Sequence, residues 1–396
     1  MPFGCGLRPR SFAHISTGQN TQTERVETSL DGRRGAQALL ARLRSWVILR
    51  HIAHAHDDAM AIILAGHSPG LTLLGVSTVA GNQTVEKVTA NALSVLAAAG
   101  LQHIDVVAGA SRPLLRPAPL LCAEIHGESG LDGPLGGPVL PPAPHAAVPG
   151  KAAVVMFERI AAAHHQLAAK GGKQRVQLIA TAALTNVALL LALFPEVIDM
   201  IEVTIMGGCL GLGNTGPGEK QAYAFLIVME FNIQTDPEAA RMVFESGVRL
   251  TMVPLEVTHT ALVTTSVLQR VRTHHPSAFL QLTADLLSFF AETYLAVFQM
   301  PDPPLHDPCA VAWVLAPQLF KTKFMRVDVE TTSVLSAGQT VCDVWNQSSA
   351  PKNCTVCMEM DASHFWDLLI AAIHAADKQS PLNETADGGS GCKAAP

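Results

Sequence analysis

Leu71-Thr72-Leu73-Leu74-Gly75-Val76-Ser77-Thr78-Val79, followed by Ala80-Gly81-Asn82-Gln83-Thr84 and then Val85-Glu86-Lys87-Val88, is the stretch from which the fold is read. Its first part is apolar and β-branched, as a buried strand requires. A Gly-Asn turn then hands over to a helix expected across residues 85–99. The same alternation repeats on both sides. Strands are expected at 46–49, 71–79, 104–107, 176–180, 202–206, 250–254 and 353–360. Helices are expected at 57–65, 85–99, 152–169, 185–193 and 237–245. Apolar strands alternating with helices predict an α/β fold: a Rossmann-like, mostly parallel sheet covered by helices on both faces.

The chain has 396 residues, of which 48% are hydrophobic and 15% charged. That is enough apolar sequence for one large α/β domain. No linker divides it, so a single domain is expected over 46–377. Residues 1–45 read as an irregular extension, and the polar, Gly-rich segment 378–396 as a disordered tail. The net charge is −6 with no basic bias across the domain, which argues against a nucleic-acid polymer as partner. The apolar run 176–194 contains Thr181, Thr185 and Asn186, and it reads as a buried strand followed by a helix rather than a membrane span. No hydrophobic signal-peptide core is present, so a cytoplasmic protein is expected. The Arg-rich, Lys-free first 50 residues also admit a mitochondrial presequence. Cys354 and Cys357 have redox or metal spacing, but no second pair supports them. Period two in a strand sends them to opposite faces as unpaired core thiols.

Several polar groups fall where open α/β sheets hold ligands, at the carboxyl ends of strands. Asp57-Asp58 opens a helix, and Gly81-Asn82 follows a strand. Further on come Glu230-Phe231-Asn232 and His306-Asp307-Pro308. These are oxygen donors of the kind that hold a hard cation and a polyhydroxylated sugar. Each has a structural reading too. Asp57-Asp58 complement a helix dipole, Asn82 forms a turn, Glu230 and Asn232 sit on a solvated strand edge, and Asp307 caps a helix ahead of proline. Their joint order is what selects the functional reading.

In that order the chain resembles the inosine-uridine-preferring nucleoside hydrolases, over roughly residues 46–377. The stretches that carry the resemblance are Asp57-Asp58-Ala59, Val79 to Thr84, Ile125-His126-Gly127-Glu128 and Leu184-Thr185-Asn186. They continue with Met206-Gly207-Gly208, Glu230-Phe231-Asn232, Asp236 to Ala240, Thr258-His259 and His306-Asp307-Pro308. The resemblance implies cleavage of the N-glycosidic bond of purine or pyrimidine ribonucleosides, with bound Ca²⁺ and water, in a homodimer or homotetramer. It implies Asp58, Asp307 and the main-chain carbonyl of Thr181 as metal ligands. Asp57, Asn82, Glu230 and Asn232 would hold ribose hydroxyls, with Met206 and Asn214 lining that end. His126 and His259 would stand near the base, where an imidazole can protonate or polarise a leaving group.

Two departures from the family pattern stand out. The metal loop of the family reads Asp-x-Asp-x-x-x-Asp-Asp, whereas this chain reads His51-Ile52-Ala53-His54-Ala55-His56-Asp57-Asp58. Ala53 thus occupies the position of the carboxylate that binds metal and takes the proton from the attacking water. Second, the apolar run 222–229 lengthens the connection between Gly213-Asn214 and Glu230. Two readings follow: a nucleoside hydrolase impaired at its base, or a nucleoside- or ribose-binding homologue without chemistry. A generic dinucleotide-binding enzyme is disfavoured, since no Gly-x-Gly-x-x-Gly follows the first strand.

Overall fold

The computed structural model describes residues 45–52 and 385–387 by their main chain, and 56–137, 139–171, 174–211, 229–272, 275 and 277–384 in full. All fall in one compact unit. β1 (Ser45–Ile52) and α1 (His56–His67) lead to β2 (Leu71–Thr78), α2 (Val85–Ala98) and the short β3 (Val106–Val107). Next come α3 (Ala123–His126), α4 (Ala152–Ala169), β4 (Val176–Ala180), α5 (Thr185–Leu193) and β5 (Ile201–Met206). α6 (Phe231–Thr235) and α7 (Pro237–Glu245) precede β6 (Arg249–Val253). Helices α8 (Leu255–Thr258), α9 (Thr265–Arg272), α10 (Ala278–Phe298) and α11 (Asp307–Leu315) then follow one another. The chain ends in β7 (Phe320–Met325), β8 (Val327–Val329), β9 (Thr340–Cys342), β10 (Cys354–Met360), α12 (Ala362–Asp377) and α13 (Leu382–Asp387).

Eight strands form one sheet in the order β3-β2-β1-β4-β5-β6-β10-β7. Only β10 and β7 pair antiparallel; the other neighbours are parallel. β1 lies between β2 and β4, so the winding reverses there, and the crevice beyond the carboxyl ends of β1 and β4 is where such sheets bind ligands. One face of the sheet is covered by α1, α2, α10, α11 and α12, the other by α4, α5 and α7. α1 is apolar on all sides, and Ala59 to Leu64 are 0–3% exposed. It packs against both α11 and α12, as an all-apolar helix must. Among the described residues, no helix is long and apolar enough to cross a membrane.

The expected elements at 152–169, 176–180, 185–193 and 237–245 are observed with those bounds. The strand expected at 104–107 shortens to Val106–Val107 because Ile104 is held in a turn, its amide donating to the Leu101 carbonyl at 2.9 Å. The ladder begins only at the Asp105 carbonyl, which accepts the Val76 amide at 2.9 Å, while the Asp105 carboxylate pairs with Arg159. The tail expected to be disordered from 378 is anchored further along. The Ser380 hydroxyl donates to the Ala98 carbonyl at 2.7 Å, and the Asn383 side chain accepts the Phe279 amide at 3.2 Å. Cys354 and Cys357 are buried free thiols packed into the cores on opposite faces of the sheet.

Candidate active site

At the crevice between β1 and β4, three acidic side chains meet. Asp57 and Asp58 lie in the first turn of α1, straight after β1. Asp307 is the first residue of α11, with Pro308 behind it presetting the helical φ. His306, not Asp307, holds the capping position, so the Asp307 carboxylate is not spent on capping. One oxygen from each of the three lies within 4.8 Å of the others, and all three side chains are buried. Burial lifts Asp57 from its ordinary 3.8 to about 6, against the pull of nearby main-chain amides. Burial, and then the charges of Asp57 and Asp58, push Asp307 well above the carboxylate range. Buried carboxylates this close repel one another unless one keeps its proton or a cation joins them. An all-oxygen, carboxylate-rich set fits a hard divalent cation.

The support around the triad is hydrogen-bonded. The Thr181 hydroxyl donates to Asp58 at 2.9 Å, a side-chain role that sequence reading did not assign to this residue. The Asn232 amide donates at 3.1 Å to the carbonyls of both Thr181 and Met206, and at 3.4 Å to the Met206 sulfur. It thereby ties the ends of β4 and β5 together and leaves its own carbonyl oxygen as an acceptor. Glu230 caps α6, accepting the amides of Asn232 at 2.9 Å and Ile233 at 3.1 Å, and it also accepts Gly208 N at 3.0 Å. Burial raises its carboxyl to about 7. Neither Glu230 (2% exposed) nor Asn232 (8%) is a solvated strand edge: both are interior. Gly208 has φ +76°, and a Cβ there would meet the Met252 sulfur at 2.8 Å, so the turn after β5 requires glycine.

An aromatic wall stands beside the carboxylates. The two nitrogens of His306 contact the Thr258 hydroxyl at 2.8 Å and the Tyr294 hydroxyl at 2.9 Å. Burial holds His306 neutral, with its pKa down at about 3. His259 lies at the end of α8, half-buried, its ring 5.5 Å from that of His306. His126 ends α3, fully interior, and burial keeps it neutral as well. Its ring stacks 5.8 Å from Phe290 and 5.9 Å from His56, whose Nε2 bonds the Asp132 carbonyl at 2.8 Å. Sequence reading gave roles near the base to His126 and His259, quoted His306 and His56 only within the motifs around the aspartates, and did not single out Tyr294. His306 and His56 each adjoin an aspartate of the triad, which was the available signal. Nothing local marked Tyr294, within an apolar helix.

Asn82 follows β2 and is half-buried. Its carbonyl accepts Cys122 N at 3.0 Å, tying this turn to α3, and its side chain makes no hydrogen bond to the described protein. Asn214, Ala53 and His54 lie outside the described residues, as does the run 212–228, and His51 is described by main chain only.

The family model for inosine-uridine preferring nucleoside hydrolases matches residues 53–367. A probable ribonucleoside hydrolase of Dictyostelium discoideum is 43% identical over 326 residues, covering 80% of this chain and 91% of its own length. The pyrimidine-specific ribonucleoside hydrolase RihA of Shewanella oneidensis is 40% identical over 329 residues, covering 81% and 93%. Among solved structures, the purine-preferring ribonucleoside hydrolase from Gardnerella vaginalis superposes with a TM-score of 0.72 at 27% identity, covering 84% of this chain and 99% of that one. The chain belongs to the inosine-uridine preferring nucleoside hydrolase family.

Proposed function

We propose that this nucleoside hydrolase holds a calcium ion among Asp57, Asp58 and Asp307 and there cleaves the bond between ribose and base in ribonucleosides. The observation that carries the reading is the convergence of those three buried carboxylates at the point where the sheet's winding reverses. A hard cation in that position supplies Lewis-acid activation of water and a purchase on vicinal hydroxyls. The rest falls to the protein. The Asn232 carbonyl oxygen and the Asp57 carboxylate accept hydrogen bonds from ribose hydroxyls, and Glu230 keeps Asn232 in place through its main-chain amide. Cleavage builds positive charge on the sugar, which the surrounding carboxylates stabilise. The departing base needs a hydrogen-bond donor. The Tyr294–His306 pair and His126 line the aromatic side from which one is offered. Uridine is the first substrate to test, because relatives 40% identical are named pyrimidine-specific.

Ala53 and His51, at the positions where the family carries aspartates, favour a second reading: a pocket that binds nucleoside with little or no turnover. Ribose release from uridine and inosine, measured with and without Ca²⁺, separates the two. On the impaired-enzyme reading, the double change His51→Asp, Ala53→Asp raises turnover by ~10²–10⁴, the usual value of a general base. Unchanged turnover with nucleoside still bound favours the binding protein.

A further inference from the structure

A cavity of about 530 Å³ opens at the amino ends of β4, β5, β6 and β10, the opposite end of the sheet from the carboxylates. Its floor is two rows of side chains set by strand register. In the first row Gln177 lies beside Glu202, and Glu202 beside Arg249. Glu202 accepts from Gln177 at 3.1 Å and from Arg249 at 2.8 Å, so this row is neutral overall. In the second row Thr204 pairs with Thr251, Thr251 with Thr355, and Thr355 with Phe324. Trp313 of α11 joins Phe324 and Phe244 in the lining, its ring set edge-on to Phe320 at 5.5 Å.

Central strands of a sheet covered on both faces ordinarily present apolar side chains throughout. Two residues further along, Met206, Val253 and Cys357 do so on this same face. The three threonines break that rule. Thr204 is 2% exposed and Thr251 and Thr355 are half-buried; their hydroxyls make no hydrogen bond to the described protein and reach the cavity. Three hydroxyls that open onto a cavity of ligand size, each with its donor and acceptor free, are placed to bond an occupant. The charges favour a neutral one. Arg249 is taken by Glu202 and Arg326 by Asp328, while Lys352 is exposed. Hydroxyls that donate and accept, beside an indole and a phenyl ring, suit a flat heteroaromatic ring with polar edges.

We propose that this cavity is a second binding site, separate from the carboxylates, for an uncharged heterocycle of the nucleobase class. The test is saturation-transfer NMR titration of the full chain with uracil and with hypoxanthine, alongside three variants. In the double variant Thr204→Val, Thr251→Val, two hydrogen bonds are lost and affinity for the base falls roughly 10- to 30-fold. Phe324→Ala, on an exposed strand position, weakens binding several-fold without touching the core, and it decides the matter if the threonine variant folds poorly. Asp58→Asn leaves this binding within twofold. Three outcomes overturn the proposal: no saturable binding, affinity indifferent to both the threonine and Phe324 changes, or binding abolished by Asp58→Asn alone. The first means the cavity holds only water, and the last means the base binds only at the carboxylate site.

Discussion

Replacing Asp57 with asparagine should stabilise the metal-free protein and weaken its response to calcium. Burial raises the Asp57 carboxyl from 3.8 to about 6. A group whose folded value exceeds its unfolded one is costly to ionise in the fold. The deficit is absent below pH 3.8, grows as pH rises, and is complete above about 6. That difference corresponds to about 3 kcal/mol. Asparagine also forfeits part of the bonding from the main-chain amides that favour the carboxylate, leaving a net gain of roughly 1–3 kcal/mol at pH 8. In a chain this long the gain amounts to roughly 1–5 °C in Tm, with none at pH 4. Calcium reverses the order. At a concentration of 100 times the wild-type Kd, binding adds about 2.7 kcal/mol, and an affinity loss of about 100-fold cuts that to about 0.4 kcal/mol. Thermal melts in EDTA and in Ca²⁺, at pH 4 and pH 8, read both effects. A lower Tm for the variant in EDTA at pH 8, together with an undiminished calcium shift, would refute the reasoning.

Other expectations follow from single contacts. Glu230→Ala removes the cap of α6 and the partner of Gly208 N, so it should cost about 1–2 kcal/mol in denaturant unfolding and raise KM for nucleoside. An unchanged KM argues against its supporting role. Tyr294→Phe strips His306 of its Nε2 partner. Turnover of uridine should fall about tenfold or more, while a riboside with an activated leaving group, such as 4-nitrophenyl, is spared; equal losses on both substrates point to a structural defect instead. Cys354 and Cys357 should react with a thiol reagent only after unfolding, and reductant should leave Tm unchanged, since they face opposite cores.

What the sequence revealed depended on range. α4, β4, α5 and α7 were readable to the residue because apolar periodicity and turn residues act locally. β3 was over-read because Ile104, apolar like a strand residue, is held in a turn by the bond from its amide to the Leu101 carbonyl. The position of the tail was hidden for the opposite reason: Ser380 and Asn383 are polar, yet their bonds reach Ala98 and Phe279, far away in sequence. At the site, Asp57, Asp58 and Asp307 were named from motif order, and the structure brings all three together, with one oxygen of each within 4.8 Å of the others. Thr181 was credited only with its carbonyl, but its hydroxyl also holds Asp58. The Tyr294–His306 pair joins α10 to the start of α11 within a buried aromatic wall, and composition alone carries no sign of that pairing.

The most direct measurement is calorimetric titration of Ca²⁺ into chelator-treated protein, repeated with Asp307→Asn. The account predicts one saturable site per chain in the wild type, lost or weakened at least tenfold in the variant. Saturable binding of equal strength in both proteins, or none in the wild type, would contradict the assignment of the three carboxylates as a cation site.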